Sequence, residues 1–145
     1  MSLASLTLEH SPKFRILIVE DEALVALDMQ IVLDSEGYYV VGVAGNAADA
    51  ARLAQTTSPQ LAIIDVNLAN GDSGIDVASR LKDIGVPALF SSGNCPSDLE
   101  LTVGIGCLHK PFDDQRLIRA VQMAQSIIEK RDAPLSPAPL DYSIR

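Results

Sequence analysis

The chain has 145 residues and a formal net charge of −8, with 48% hydrophobic and 21% charged residues. These values predict one globular domain with its own core, and they exclude a disordered chain. Binding to nucleic acid needs clustered Lys and Arg, and the sequence has no helix-turn-helix, zinc-finger spacing or basic arm. We therefore expect no direct contact with nucleic acid.

The composition also gives expectations about membranes and redox state. No apolar run reaches the roughly 18 residues that a membrane span needs, and the amino terminus lacks a signal-peptide pattern. We expect a cytoplasmic protein without a membrane contact. Cys95 and Cys107 have neither the spacing of a disulfide scaffold nor that of a metal site. We interpret both as reduced packing residues.

Strand and helix patterns alternate along the chain. Residues 1–13 show no periodicity and predict a tail. Short apolar runs predict strands at 15–22, 38–44, 60–66, 86–92 and 107–110. Helical spacing and capping residues predict helices at 23–35, 47–55, 74–83 and from Asp113 or Asp114 to about 131. Residues 132–145 predict a flexible Pro-rich tail, so the domain is expected at 14–131.

This alternation predicts an α/β fold with a doubly wound, five-stranded parallel sheet of the flavodoxin-like type. Residues 93–106 contain Pro96, Gly104 and Gly106 and few apolar residues. This segment therefore favours a shortened or disordered fourth helix. In such a sheet, ligands bind outside the carboxyl ends of the strands, so the residues that follow each strand are the candidates for a site.

Charged and hydroxyl side chains stand at those strand ends. Glu20 and Asp21 follow the first strand, Asp65 ends the third, Ser92 the fourth, and Lys110 the fifth. Neighbouring carboxylates repel unless a cation joins them, and Mg²⁺ prefers oxygen ligands. An ionised Asp beside a cation is a nucleophile for a phosphoryl group, whose oxygens a hydroxyl and an ammonium can hold. An acid at a strand end is more often a helix cap or a solvated turn, which is our interpretation of Glu22.

The motifs "ILIVEDE", "IIDVNL", "ALFSSG" and "HKPF" occur in the order typical of response-regulator receiver domains of two-component signalling. The resemblance covers roughly residues 14–130, and "FSSGN" is similar to the FATGUY subgroup. It implies Asp65 as phospho-acceptor, Asp21 as direct Mg²⁺ ligand and Glu20 as an acid acting through metal-bound water. It implies further roles for the Asn67 backbone carbonyl as metal ligand, for Ser92 as switch hydroxyl, for Lys110 as the family's lysine and for Gly93 as its small residue.

One position departs from the family pattern. Receivers usually carry an aromatic switch residue three positions before the lysine, where this chain has Cys107. We expect the conformational change to pass instead through residues 93–106. A pseudo-receiver that binds partners without phosphorylation is therefore one alternative. Another is an Asp-nucleophile phosphohydrolase, although Asn67 stands where such enzymes need a second acid.

The resemblance predicts a single-domain response regulator rather than an enzyme, with only self-phosphotransfer and autodephosphorylation. A histidine kinase or histidine phosphotransfer protein would phosphorylate it, and a downstream protein partner would receive the signal. The expected docking surface comprises strand four, residues 93–106, strand five and the last helix at 113–130, where Gln115, Arg119 and Gln122 are candidates if exposed. Some receivers dimerise through the last strand and helix, so the sequence leaves a homodimer open.

Overall fold

A computed structural model describes residues 12–97 and 103–131 of the chain. The predicted tails at 1–13 and 132–145 lie outside the described residues, apart from Pro12 and Lys13. Among the described residues, no helix combines the length and the apolar character that crossing a bilayer requires.

Five parallel strands form one sheet in the order β2-β1-β3-β4-β5, which confirms the predicted flavodoxin-like topology. The strand order reverses between β1 and β3, so this is the position at which a ligand site is expected. The strands are β1 (Arg15–Val19), β2 (Tyr39–Ala44), β3 (Leu61–Asp65), β4 (Ala88–Ser92) and β5 (Cys107–His109). The predicted first strand was too long, because the acids after Val19 lie beyond the ladder.

Four α-helices occur in the described ranges: α1 (Ala23–Ser35), α2 (Ala47–Thr57), α3 (Gly74–Asp83) and α4 (Asp114–Arg131). The predicted bounds of α1 and α3 are confirmed. Asn46 caps α2, and its side chain accepts a hydrogen bond of 2.9 Å from the backbone N–H of Asp49. Gly37 follows α1 with φ +90°, a conformation that glycine adopts without a steric cost.

The sheet has an apolar layer on each face. Side chains alternate along β1, so Ile16 and Ile18 pack on the face covered by α1 and α4. Leu17 and Val19 pack on the opposite face, which α2 and α3 cover. All four side chains are fully buried. The central strands are therefore buried on both faces, and polar residues are confined to their ends.

The exposed face of α1 differs from what its spacing suggested. Leu24, Leu27 and Ile31 recur at helical intervals, but they are 82%, 52% and 58% exposed. The buried residues of α1 are Ala26, Met29, Val32 and Leu33. Apolar residues surround much of this helix, so periodicity alone could not identify the side that faces the sheet.

The segment between β4 and β5 has no α-helix in its described parts, residues 93–97 and 103–106. The centre of the predicted short or disordered helix, residues 98–102, lies outside the described residues. Gly104 passes directly over the sheet, where an added Cβ would lie 2.6 Å from the Phe90 ring and 3.1 Å from the Ala88 carbonyl oxygen. This close approach explains why the position needs glycine.

Candidate functional site

The strand ends bring the predicted polar residues to one edge of the sheet. Backbone hydrogen bonds continue the ladder past the last strand residues and fix these positions. The Glu20 N–H donates to the Ala44 carbonyl at 2.8 Å, and the Lys110 N–H donates to the Ser92 carbonyl at 2.8 Å. The site residues are therefore held by the sheet itself rather than by long loops.

Three carboxyl groups cluster where the strand order reverses. Glu20, Asp21 and Asp65 each offer an oxygen, and these oxygens lie within 4.8 Å of one another. Glu20 is 3% and Asp65 is 6% exposed, whereas Asp21 is open to solvent. Oxygen ligands, partial water access and negative charge are the features that Mg²⁺ requires, so the residues present fit this ion.

Lys110 joins two of these carboxylates. Its Nζ donates to Glu20 Oε1 at 2.8 Å and to Asp65 Oδ2 at 3.1 Å. Burial by itself would lower the pKa of Lys110, but the hydrogen bonds and the charges of the two acids outweigh it and raise that pKa. The side chain is therefore held as a cation beside Asp65.

Burial by itself lowers the pKa of Lys110 but raises the pKa of Glu20. Desolvation raises the pKa of Glu20, and the contacts that favour its charged form do not cancel this effect. Those contacts are the ammonium of Lys110 and the backbone N–H of Glu22, which donates to Glu20 Oε2 at 3.1 Å. Sequence reasoning treated Glu22 as a solvated residue, and its backbone contribution to Glu20 could not be inferred from residue type.

The carboxylate of Asp65 is held at both oxygens. Oδ2 faces Lys110, while Oδ1 accepts a 3.0 Å hydrogen bond from the backbone N–H of Asn67. The first turn of α3 packs directly behind this strand end. A Cβ on Gly74 would lie 2.7 Å from the Cα of Val66 and 2.8 Å from the carbonyl carbon of Asp65. Gly74 therefore allows the approach that fixes Asp65.

Ser92 is brought to the same edge but bonds elsewhere. The side chain is 1% exposed. Its hydroxyl donates to the Asn94 carbonyl at 2.9 Å and accepts from the Asn94 N–H at 3.0 Å. Within this local turn the hydroxyl acts both as a donor and as an acceptor toward Asn94. The amino-acid pattern did not predict this turn.

The two cysteines correct a prediction. Cys95 and Cys107 form a disulfide, with their Cα atoms 6.0 Å apart, so they are not reduced packing residues. The chain leaving β4 turns back across the sheet, which places partly buried Cys95 against the same apolar layer as fully buried Cys107. A separation of 12 residues gives no signal for this pairing. A useful signal was that one cysteine follows β4 and the other lies on the adjacent strand.

Next to the carboxylate cluster, α1 and the segment between β5 and α4 border a cleft of about 350 Å³. Leu24 and Met29 line it from α1, and Lys110 and Phe112 line it from the other side. This cleft connects the exposed apolar side of α1 with the lysine of the site. The predicted candidates on α4, Gln115, Arg119 and Gln122, are exposed as well.

Comparison with known proteins decides the family. The model of the response regulator receiver domain matches residues 16–122. The chain belongs to the response regulator receiver domain family. The resemblance stated from its motifs is therefore confirmed, while its FATGUY subgroup stays a prediction.

Among curated relatives, the transcriptional regulatory protein PdtaR of Mycobacterium tuberculosis is 38% identical over 117 residues, covering 77% of this chain and 57% of PdtaR. The receiver chain thus spans little more than half of that relative.

Two solved structures show the same receiver architecture. The signal receiver domain of a modulated diguanylate cyclase from Desulfovibrio desulfuricans is 29% identical, with a TM-score of 0.72 over 83% of this chain and 99% of that one. The anti-anti-sigma factor PhyR of Bartonella quintana is 27% identical, with a TM-score of 0.66 over 90% of this chain and 55% of that one. PdtaR and PhyR are regulatory proteins by their names.

Proposed function

We propose that this receiver is a Mg²⁺-dependent phospho-acceptor in which Asp65 takes a phosphoryl group from a phosphohistidine. The donor is a histidine kinase or a histidine phosphotransfer protein. The observation that carries the proposal is the position of the buried Asp65 carboxylate, between the ammonium of Lys110 and the acids Glu20 and Asp21. A structural carboxylate needs no such cluster of like charges around it.

In the transfer step, a carboxylate oxygen of Asp65 forms a bond to phosphorus and the bond from phosphorus to the imidazole nitrogen breaks. The other ring nitrogen of the phosphohistidine carries a proton and the electron pair of the broken bond stays on the nitrogen that held phosphorus, so a neutral histidine leaves and an acyl phosphate remains. Lys110 is close enough to Asp65 to exchange its hydrogen bond at Oδ2 for one to a phosphoryl oxygen. Its raised pKa ensures that it carries the positive charge that this role requires.

The metal ligands in this proposal are Glu20, Asp21, Asp65 and the backbone carbonyl of Asn67. Bound Mg²⁺ would neutralise phosphoryl charge as a Lewis acid. Asp21, which is exposed, is the acid best placed for direct ligation. Glu20 is buried and already bonded to Lys110, which suits an acid that contacts the metal through water.

Ser92 serves as the switch in this proposal. Its hydroxyl must leave Asn94 before it can bond to a phosphoryl oxygen. The exchange gives up two local hydrogen bonds, each with a net value of about 1 kcal/mol, for a stronger bond to a charged group. Because Asn94 lies two residues beyond the end of β4, the movement of Ser92 passes into residues 93–97. Cys107 stands where receivers usually carry the aromatic switch residue. It takes part in this movement because its disulfide to Cys95 joins it to residues 93–97.

The exposed apolar residues of α1 suit a protein partner. Leu24, Leu27 and Ile31 form a strip beside the cleft that contains Lys110. An apolar strip of this kind at the mouth of a site is typical of a docking surface. We propose that the phosphohistidine protein binds there, and that a downstream partner binds the surface of β4, residues 93–106, β5 and α4. PhyR, an anti-anti-sigma factor by its name, shows that a related receiver chain serves protein regulation.

The domain bounds, the cellular compartment and the lack of nucleic-acid binding are proposals as well. We propose a domain at 14–131 that acts in the cytoplasm and does not bind nucleic acid, in line with the net charge of −8. The proposal does not depend on whether the protein forms a homodimer, which the sequence leaves open. The phosphohydrolase alternative is disfavoured because Asn67, which bonds to Asp65 through its backbone, has a side chain that cannot transfer protons.

The test uses the full chain, acetyl phosphate and Mg²⁺, with intact mass as the measurement. Wild type is expected to gain about 80 Da, the mass of one phosphoryl group, and Asp65→Asn is expected to gain nothing. Asp34→Asn, which changes an exposed acid on α1, is the matched control and should gain the same mass as wild type. No gain in wild type, with Mg²⁺ present, favours the pseudo-receiver, and an equal gain in Asp65→Asn contradicts the acceptor assignment.

A further inference from the structure

The disulfide lies next to the proposed switch. Cys107 pairs with Phe90 in the register between β5 and β4, and Ser92 follows Phe90 by two residues on the same strand. Cys95 comes directly after Asn94, the residue that holds the Ser92 hydroxyl. The bond therefore anchors the turn after Ser92 to the neighbouring strand.

This tie fixes a short stretch of chain at both ends. Ser92 is part of β4, and three residues later Cys95 is bonded to β5. Asn94 lies between these two fixed points, so it cannot follow a displaced Ser92 without distorting the tie. When the bond is broken, the turn after Ser92 loses its covalent tie to β5 and gains conformational freedom.

The two cysteine residues differ in their access to solvent. Cys107 is 0% exposed, whereas Cys95 is only partly buried. We therefore expect a small thiol approaching from solvent to react at Cys95, with Cys107 as the leaving group inside the fold. The chain has only two cysteines, so the pair has no competing partner within the molecule.

We propose that Cys95 and Cys107 are a reversible thiol–disulfide modification site that controls the turn holding Ser92. The reductant and oxidant are low-molecular-weight thiols and their disulfides. In reduction, a thiolate bonds to the sulfur of Cys95, the bond to Cys107 breaks, and the Cys107 sulfur keeps the electron pair and takes a proton. A second thiol then releases Cys95, so two thiols are oxidised to one disulfide and the protein gains two thiol groups.

The consequence for signalling rests on the proposed function. With the bond closed, Asn94 cannot move with Ser92, so displacement of Ser92 costs both of their hydrogen bonds and the phosphorylated form is disfavoured. With the bond open, Asn94 can adjust as Ser92 moves, so the displacement costs less. Linkage requires the reverse effect as well, so phosphorylation of Asp65 makes the disulfide easier to reduce by the same factor. In the proposed cytoplasmic setting, a disulfide is more often redox-sensing than structural.

The first test needs no phosphate. The full chain is equilibrated in buffers of reduced and oxidised glutathione, then alkylated and weighed. We expect one transition between a form with no alkyl group and a form with two. A protein that stays oxidised at the most reducing ratio, or never closes the bond at the most oxidising one, overturns the proposal.

A matched pair of variants tests the difference in access. In oxidised glutathione, Cys107→Ser keeps the accessible Cys95 and is expected to acquire one glutathione. Cys95→Ser keeps only the buried Cys107 and is expected to stay unmodified while folded. The reversed pattern overturns the assignment of Cys95 as the sulfur that reacts first.

The second test measures control of the turn. Amide hydrogen exchange at residues 93–97 is expected to be severalfold faster in the reduced protein, with α1 unchanged. Equal exchange rates in both forms overturn the proposal that the disulfide controls this turn.

A third test measures the rate of phosphorylation. With acetyl phosphate and Mg²⁺, the reduced protein and Cys95→Ser should acquire phosphate faster than the oxidised protein, and equal rates overturn the effect on signalling. If neither form gains phosphate, the proposed function fails, while the titration and the exchange still decide the redox site.

Discussion

The two halves of the sheet edge are built differently. In the β1–β3 half, Glu20 and Asp65 stand at the ends of strands that are buried on both faces, and Lys110 reaches across from the end of β5 to bridge their carboxylates. In the β4–β5 half, β5 has three residues, and the described parts of the connection carry no α-helix. A covalent bond there ties the start of the connection to β5.

This difference matches the different demands on the two halves. Chemistry at Asp65 needs fixed groups, because small errors in position reduce the stabilisation of a transferred phosphoryl group. A response needs a segment with two arrangements of similar free energy. The molecule thus separates a rigid reaction pocket from a responsive segment, and the two meet at Ser92.

The largest effect on stability is expected at Gly74, in the rigid half. Gly74→Ala places a methyl group 2.7 Å from the Cα of Val66, a backbone atom that cannot move away alone. We expect the free energy of unfolding to fall by about 3 kcal/mol, as measured by urea denaturation. Gly93→Ala is the matched control, since nothing lies within 4 Å of its added Cβ. A change of similar size in both variants contradicts the proposed difference between the halves.

Reduction of the disulfide is expected to have the next largest effect. Opening a ring closed across 12 residues costs up to roughly 3 kcal/mol, less whatever the native state recovers by relaxing. We expect a fall of about 2 kcal/mol in the free energy of unfolding, by denaturation with and without reductant. Mg²⁺ affinity, measured by calorimetry, should not change, because the carboxylates lie in the other half. If reduction lowers both the free energy of unfolding and the Mg²⁺ affinity, the two halves are not separate.

Mg²⁺ is expected to stabilise the rigid half. At a concentration about tenfold above its dissociation constant, it should raise the free energy of unfolding by roughly 1.4 kcal/mol, which a thermal melt detects. Asp21→Asn removes one carboxylate from the cluster and is expected to lose most of this gain. Asp34→Asn should keep it in full, since Asp34 lies on α1 outside the cluster. A gain that persists in Asp21→Asn argues against the proposed ligand set.

The smallest effect on stability is expected for Ser92→Ala. The variant loses two hydrogen bonds to Asn94, but residues 93 and 94 are exposed and water can replace the partners. We expect a loss of about 1 kcal/mol or less, with unchanged Mg²⁺ affinity. Phosphorylation by acetyl phosphate should persist, while hydrogen exchange at 93–97 should no longer respond to it. A response of the same size as in wild type contradicts the switch role of Ser92.

Much of the rigid half could be predicted because its signals are local. Buried parallel strands have continuous apolar runs, so the point where each run meets an acid or a lysine marks the sheet edge. This logic locates Glu20, Asp65 and Lys110 from the amino-acid sequence alone. The strand order β2-β1-β3 then places the acids together, as the topology of doubly wound sheets requires.

The responsive half could not be predicted in the same way. The bond between Cys95 and Cys107 depends on how the chain returns after β4, and no periodicity encodes that path. The bonds of Ser92 to Asn94 depend on turn geometry for the same reason. The exposed side of α1 was missed for a different reason: Leu24 and Leu27 are as apolar as the residues that pack inward, so only tertiary contacts choose between them.

The central claim is that the carboxylate of Asp65 accepts the phosphoryl group. The most direct measurement treats the phosphorylated chain with borohydride, which reduces an acyl phosphate to an alcohol, and then maps the altered residue by peptide mass spectrometry. The account predicts that the change occurs at Asp65 and requires both phosphodonor and Mg²⁺. A change at Glu20 or Asp21 instead, or a phosphorylated chain whose Asp65 stays intact, would contradict it.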